Sequence, residues 1–198
     1  MFIKGDIMKK FLSVVLAVFM IALVGCAQSQ GGDSGSGSSS GSGSGSGDWT
    51  PVIELSQSEM MSMFSQAATW ESDNESGSAP MGIKICVKWT TSTSYISYVI
   101  DFKDRSLTET QKAQYESAIS GAVKEAAEGT YFSSEVVPTI TPVVSWNGNV
   151  LTAEVETGYY QNSMPRSAVL LMSGDISVDR KTVRIDASGD VIYFKKVN

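Results

Sequence analysis

The sequence predicts an α+β domain: a mostly antiparallel sheet of about six to seven strands with two helices packed on one face. Three observations predict it. Two capping boxes each precede an apolar stripe at helical spacing. Two runs of period-two alternation are separated by a short polar join, the pattern of a hairpin. Beyond them the chain reads as short strands linked by tight turns rather than crossovers, which keeps neighbouring strands antiparallel.

The first capping box is Ser56-Gln57-Ser58-Glu59, and its helix is expected over about 57–70, with Met60, Met63, Phe64 and Ala67 at helical spacing. The acidic stretch "ESDNESGS", 71–78, reads as a loop. In "IKICVKW", 83–89, Ile83, Ile85, Val87 and Trp89 share one face, and Lys84, Cys86 and Lys88 the other. In "SYISYVIDF", 94–102, Ile96, Tyr98, Ile100 and Phe102 oppose Tyr95, Ser97, Val99 and Asp101. The join "TTST" makes these two an antiparallel hairpin. The second capping box, Thr108-Glu109-Thr110-Gln111, opens a helix over about 109–128 with a stripe of Tyr115, Ala118, Ile119, Ala122, Val123 and Ala126. Lys112 and Glu116 stand at pairing distance on its outer side, and Gly129 supplies a stop.

"TPVVSW" and "VLTAEVE" flank Asn147-Gly148, a strong hairpin-turn signal of type I′, and Pro138 and Pro142 place the first of these strands late or at an edge. "SGDI" at 173–176 and "SGDV" at 188–191 repeat a turn ahead of strand-like runs, with "KTVRIDA" between them, which reads as a closing meander.

Length and composition divide the chain into a targeting segment, 1–25, a linker, 26–48, and one globular domain, 49–198. A domain of that size buries about 70% of its unfolded-chain surface, enough for one core without staples. Removing Lys4, Lys9, Lys10 and Asp6 from 15 basic and 21 acidic residues leaves 12 and 20, a net charge of −8. An acidic domain is a poor partner for nucleic acid or for anionic headgroups. There are two cysteines and no histidine. With Cys26 in the targeting segment, Cys86 is alone, so no internal disulfide framework or cysteine–histidine metal cluster is expected. The Ser-His-Asp and Cys-His arrangements are excluded for want of the imidazole.

The targeting segment has a recognisable shape. Lys9 and Lys10 form a positive flank, and Phe11 to Ala22 is an apolar or small-residue run, short for a membrane span. Met8 makes a better start than Met1, because Asp6 does not suit a positive flank. The run ends in Leu23-Val24-Gly25-Cys26, which resembles the lipobox of bacterial lipoproteins. That resemblance implies diacylglycerol, hence palmitate-type chains, on the Cys26 thiol, cleavage before it, and acylation of the new N-terminus. One acyl chain holds marginally, whereas two or more give a stable anchor at ~0.8 kcal/mol per buried CH₂. Ala27 after the cysteine, in place of Asp, implies, by resemblance to enterobacterial lipoproteins, the outer membrane rather than the inner one. Residues 31–48 are Gly and Ser apart from Asp33 and Asp48, a composition with no apolar surface to offset its ordering entropy. As a flexible tether it reaches ~25 Å on average and ~75 Å when stretched.

The expected function is therefore a lipid-anchored envelope lipoprotein displaying a non-enzymatic, monomeric binding module, with the membrane as one partner and a glycan or protein as the other. Among the aromatic residues at element ends and in loops, Trp146, Tyr159 and Tyr160 are the candidate contact residues, the latter two in the loop "ETGYYQNSMPR", 156–166. Weaker readings are a carboxylate-dependent glycoside hydrolase using Asp101 with Asp104 or Glu154 with Glu156, and a structural subunit of an envelope assembly. Met60, Met61 and Met63 with Cys86 are the soft-ligand set, and Glu71, Asp73, Asn74 and Glu75 the oxygen set, but neither has a metal-site spacing, so no metal or other cofactor is expected.

Overall fold

The computed structural model describes residues 56–73, 82–160, 164–172, 174–187 and 190–197. The signal run, the lipobox Leu23-Val24-Gly25-Cys26, the tether, Trp49, Asn74 and Glu75 lie outside them. The elements run α1 (Gln57–Ser65), β1 (Ala68–Asp73), β2 (Gly82–Trp89), β3 (Ser94–Asp101), α2 (Glu109–Glu128), β4 (Val143–Asn147) and β5 (Val150–Glu156). A 3₁₀ turn (Arg166–Ala168) then leads into α3 (Val169–Met172), followed by β6 (Asp175–Ile176), β7 (Thr182–Ala187) and β8 (Asp190–Lys196). The eight strands form one sheet in the order β4-β5-β3-β2-β1-β8-β7-β6, and every pairing is antiparallel. The expected α+β class holds, with eight strands and three helices among the described residues where six to seven and two are predicted.

Both capping boxes form. Ser56 Oγ accepts from the Glu59 N–H while Glu59 caps the Ser56 N–H at 2.9 Å, and Thr108 with Gln111 does the same at 2.9 Å. α2 has its predicted bounds, and its stripe of Tyr115, Ile119, Ala122, Val123, Ala126 and Ala127 is buried. Small alanines let it lie close over β5, β3 and β4. Its end is made differently than the glycine signal implies. Gly129 keeps a right-handed conformation (φ −63°, ψ −15°), and Thr130 closes the last turn, its hydroxyl and its N–H both donating to Ala127 O.

α1 is shorter than its sequence pattern. It stops at Ser65, Gln66 is extended (φ −90°, ψ 145°), and Ala68–Asp73 becomes β1. The reason is a change of period that a short run conceals. Ala68, Trp70 and Ser72 are buried on alternate positions, and Trp70 lies between Val87 of β2 and Lys196 of β8. The acidic loop is correspondingly shorter, since Glu71 belongs to β1 and pairs with Lys84 at 2.8 Å. The Lys112–Glu116 pair does not form either: Lys112 meets Glu109 at 2.9 Å, and Glu116 accepts from Trp146.

One face of the sheet carries the core. Trp70, Ile85, Val87, Trp89, Ile96, Ile100, Leu151, Val183 and Phe194 are buried there beneath the helices, with Phe64 of α1 edge-on to Trp89 at 5.8 Å and Phe102 edge-on to Tyr115 at 4.7 Å. The hairpin turn between β4 and β5 is Gly148-Asn149, because Asn147 pairs directly with Val150. Gly148 has φ +59° and Asn149 does not have a positive φ, the signs of a type II′ turn rather than type I′. In the "SGDI" segment Gly174 is required by close approach: a Cβ there would stand 2.6 Å from both Arg184 O and Val183 Cγ1. Among the described residues no helix is long and apolar enough to cross a membrane.

Candidate functional site

Two regions carry several of the residues singled out by the sequence: the loop after β5, and the sheet face opposite the helices. The loop is built by backbone first. Thr157 N–H donates to Ser94 O at 2.7 Å, Gly158 turns the chain with φ +65°, and Arg166 N–H returns to Gly158 O at 3.0 Å. Tyr160 N–H donates to Met164 O at 2.9 Å, and Tyr159 bridges Pro165. The loop is thereby closed on itself and pinned to the start of β3. Buried hydroxyls complete the pin: Ser94 Oγ donates to Ser167 Oγ at 2.7 Å, meets Thr157 Oγ1 at 2.9 Å, and accepts from Ser167 N–H at 3.1 Å.

The two loop tyrosines are anchored by their hydroxyls, Tyr159 to Thr90 O in the β2–β3 turn and Tyr160 to Thr130 O at the end of α2. Arg166 is the centre of the cluster. Its guanidinium lies 4.1 Å from the Tyr131 ring and 4.2 Å from the Tyr160 ring, and it holds Glu135 through two hydrogen bonds of 2.7 and 3.0 Å. Glu135 Oε2 also accepts from Phe132 N–H at 2.8 Å. The Arg166 hydrogen bonds, followed by the Phe132 N–H, hold the Glu135 carboxyl down at about 2, while burial pushes the Tyr160 phenol up to about 12. Glu135 in turn raises the Arg166 guanidinium further above its ordinary value. The Arg166 and Glu135 charges are thus paired with each other at neutral pH. What the cluster offers outward is shape and apolar surface: Phe132, 58% exposed, rides on Tyr160 with ring centroids 5.0 Å apart.

Trp146 is elsewhere. It stacks on Phe102 at 5.6 Å, donates from Nε1 to Glu116 at 2.5 Å, and has Lys112 Nζ 5.9 Å from its ring. Tyr160 meets the chain just past the end of α2, fourteen residues on from Glu116, ~20 Å along the helix. The structure brings Tyr159 and Tyr160 together and leaves Trp146 apart from them. Arg166, Tyr131, Phe132 and Glu135 escaped sequence reasoning. They converge from segments about thirty residues apart, and the one local trace is the aromatic pair Tyr131-Phe132 directly behind the helix stop.

The opposite face of the sheet places Glu154, Ser97, Cys86, Glu71 and Lys195 in one row across five strands. Ser97 donates to Glu154 at 2.8 Å. Burial first, then the Glu71 charge, pushes the Cys86 thiol up to about 11, so at neutral pH it is a protonated thiol and a poor nucleophile. Glu71 and Glu154 are three strand spacings apart, ~14 Å, beyond the separation glycoside hydrolysis uses. Glu154 and Glu156 share this face and are both exposed, while Asp101 accepts from Lys103 N–H at 2.8 Å in the turn that also holds Asp104. Met60 and Met63 pack against the core on the helix side, so the sheet separates them from Cys86. Among the described residues no three Cys, Asp or Glu side chains are arranged to hold a metal ion.

Comparison with protein-family models, with curated proteins and with solved structures gave no match to this chain.

Proposed function

We propose that this chain is a lipid-anchored lipoprotein of the bacterial cell envelope, sorted to the outer membrane, whose folded domain is a non-enzymatic binding module. The observation that carries the reading is Leu23-Val24-Gly25-Cys26, placed directly behind a positively flanked apolar run and a few residues ahead of a Gly/Ser tract. Acyl chains on Cys26 supply the membrane affinity that a net charge of −8 cannot, and the tract gives the domain reach and rotation. The platform of Tyr131 and Tyr160 clamped around Arg166, with Phe132 riding on Tyr160, is the contact surface. Rigid aromatic faces with little side-chain entropy left to lose suit the ring faces of a glycan or an apolar patch on a protein.

The test is metabolic labelling with radioactive palmitate, combined with protease treatment of intact and lysed cells. The wild-type chain takes up label and stays with the membrane fraction, and cleavage in the tether sheds a folded domain. Cys26→Ser takes up none and is lost from the membrane. Equal partitioning of the two proteins would refute the anchor, and an unfolded released fragment would refute the autonomous module.

A further inference from the structure

We propose that β4 is a self-pairing edge, at which two copies of this chain join their sheets antiparallel about a two-fold axis through Ser145. The two ends of the sheet are built differently. β6 is two residues long and carries an ion pair, Asp175 with Arg184 at 3.7 Å, which is how a sheet edge is guarded against added strands. β4 is five residues, Val143-Val144-Ser145-Trp146-Asn147, with no charge and no internal proline, and among the described residues no strand lies beyond it.

The hairpin sets which backbone groups are free. Asn147 and Val150 flank a two-residue turn and form its hydrogen-bonded pair, so Val143, Ser145 and Asn147 bond to β5. The N–H and C=O groups of Val144 and Trp146 then point outward. A second β4 laid antiparallel with Ser145 opposite Ser145 pairs Val144 with Trp146 of the other copy twice over, making four backbone hydrogen bonds with no overhang. The side chains agree with this register. Val144 meets Trp146 on the helix side, where Trp146 keeps its bond to Glu116, and Val143 meets Asn147 on the other, where Glu154 stands one strand back in each copy. Val143 is 70% exposed, so the seam itself offers apolar surface. A seam of five residues is small for a permanent dimer, which suits copies concentrated by a shared membrane. That last point rests on the lipoprotein reading; the pairing itself does not.

The experiment is disulfide trapping of the full chain in membranes, in a Cys86→Ser background. Ser145→Cys places two sulfurs on a non-hydrogen-bonded pair with Cα atoms ~4.5 Å apart, within disulfide range. Mild oxidation should give a 145–145 dimer. Thr152→Cys, one strand in, should give none, because its copies are ~14 Å apart. Val143→Cys and Asn147→Cys should each stay monomeric alone and link only when the two chains are co-expressed. The proposal is overturned if Ser145→Cys links no more than Thr152→Cys, if Val143→Cys links to itself, or if mass spectrometry finds the adduct to be with another protein. Dimer or maleimide labelling in the Cys86→Ser control would report a free Cys26 thiol, and so a failure of the lipid anchor instead.

Discussion

Ser94→Ala should be the most costly single-atom deletion on the loop side of the domain. The Ser94 hydroxyl is fully buried, as is Ser167, and Thr157 is 2% exposed, so no water replaces what is lost. The substitution removes the acceptor of Ser167 N–H (3.1 Å) and the partner of both Ser167 Oγ and Thr157 Oγ1. An orphaned buried N–H costs about 1–3 kcal/mol, and each lost neutral hydroxyl bond about 1 kcal/mol. Thr157 keeps its 3.2 Å bond to Ser94 O, which trims the sum to about 3 kcal/mol. In a domain of this size that lowers Tm by roughly 6–12 °C. The assay is urea unfolding followed by tryptophan fluorescence, with an unchanged m-value. Ser167→Ala should cost about 1 kcal/mol, since Ser94 Oγ still accepts from the Ser167 N–H, and the double variant should cost less than the two losses together. A loss below about 1 kcal/mol for Ser94→Ala, or full additivity, would refute the hydroxyl cluster as the pin.

Two further outcomes follow from buried polar atoms. Trp70 and Trp89 are each 1% exposed, but Trp89 Nε1 donates to Gln66 O at 2.6 Å, whereas Trp70 Nε1 has no hydrogen-bond partner among the described residues. Trp89→Phe should therefore destabilise more than Trp70→Phe, by about 1–3 kcal/mol, and the reverse order in urea midpoints would show that Trp70 Nε1 is satisfied in solution. The Glu135 carboxyl is held at about 2 in the folded state against 4.5 for the free side chain, so its contribution is present above about 4.5 and is lost as pH falls toward 2. Glu135→Gln should be the less stable protein at pH 7, with the gap to wild type closing between pH 4.5 and 2. A gap that stays constant over that window would remove the ion pair as its cause.

Legibility varied with how local each determinant is. The start of α2 is written in four consecutive residues, Thr108 to Gln111, and its buried stripe in its own spacing, so both could be read directly. The β2–β3 hairpin is likewise contained in one stretch. β1 could not be read, because Phe64, Ala67 and Trp70 extend a helical spacing into a segment one of whose partners, β8, lies far along the chain. The type of the β4–β5 turn was missed by one residue of register, which moves Asn-Gly to Gly-Asn. The loop 156–166 was legible as aromatic and irregular. Its organising residue was not, because an arginine between two tyrosines has no signature until the end of α2 and the turn at Arg166 are brought together. Ser94, Thr157 and Ser167 carry no local signal either: they are small polar residues at element ends, and all three are buried.

The pairing of β1 with β8 bears on the order in which the domain can assemble. Trp70 faces Lys196 in the middle of the sheet, so strands about 125 residues apart must meet before either half is complete. Until then β1 and its neighbours β2, β3, β5 and β4 form one open fragment, and β6, β7 and β8 another. Contacts of such long sequence separation form slowly, since loop closure precedes any reward. A chain that threads a translocon from its leading end therefore has β1 across the membrane long before β8 arrives, and cannot lock into its final form midway. On the proposed export route, the topology itself keeps the chain threadable until its last strands have crossed.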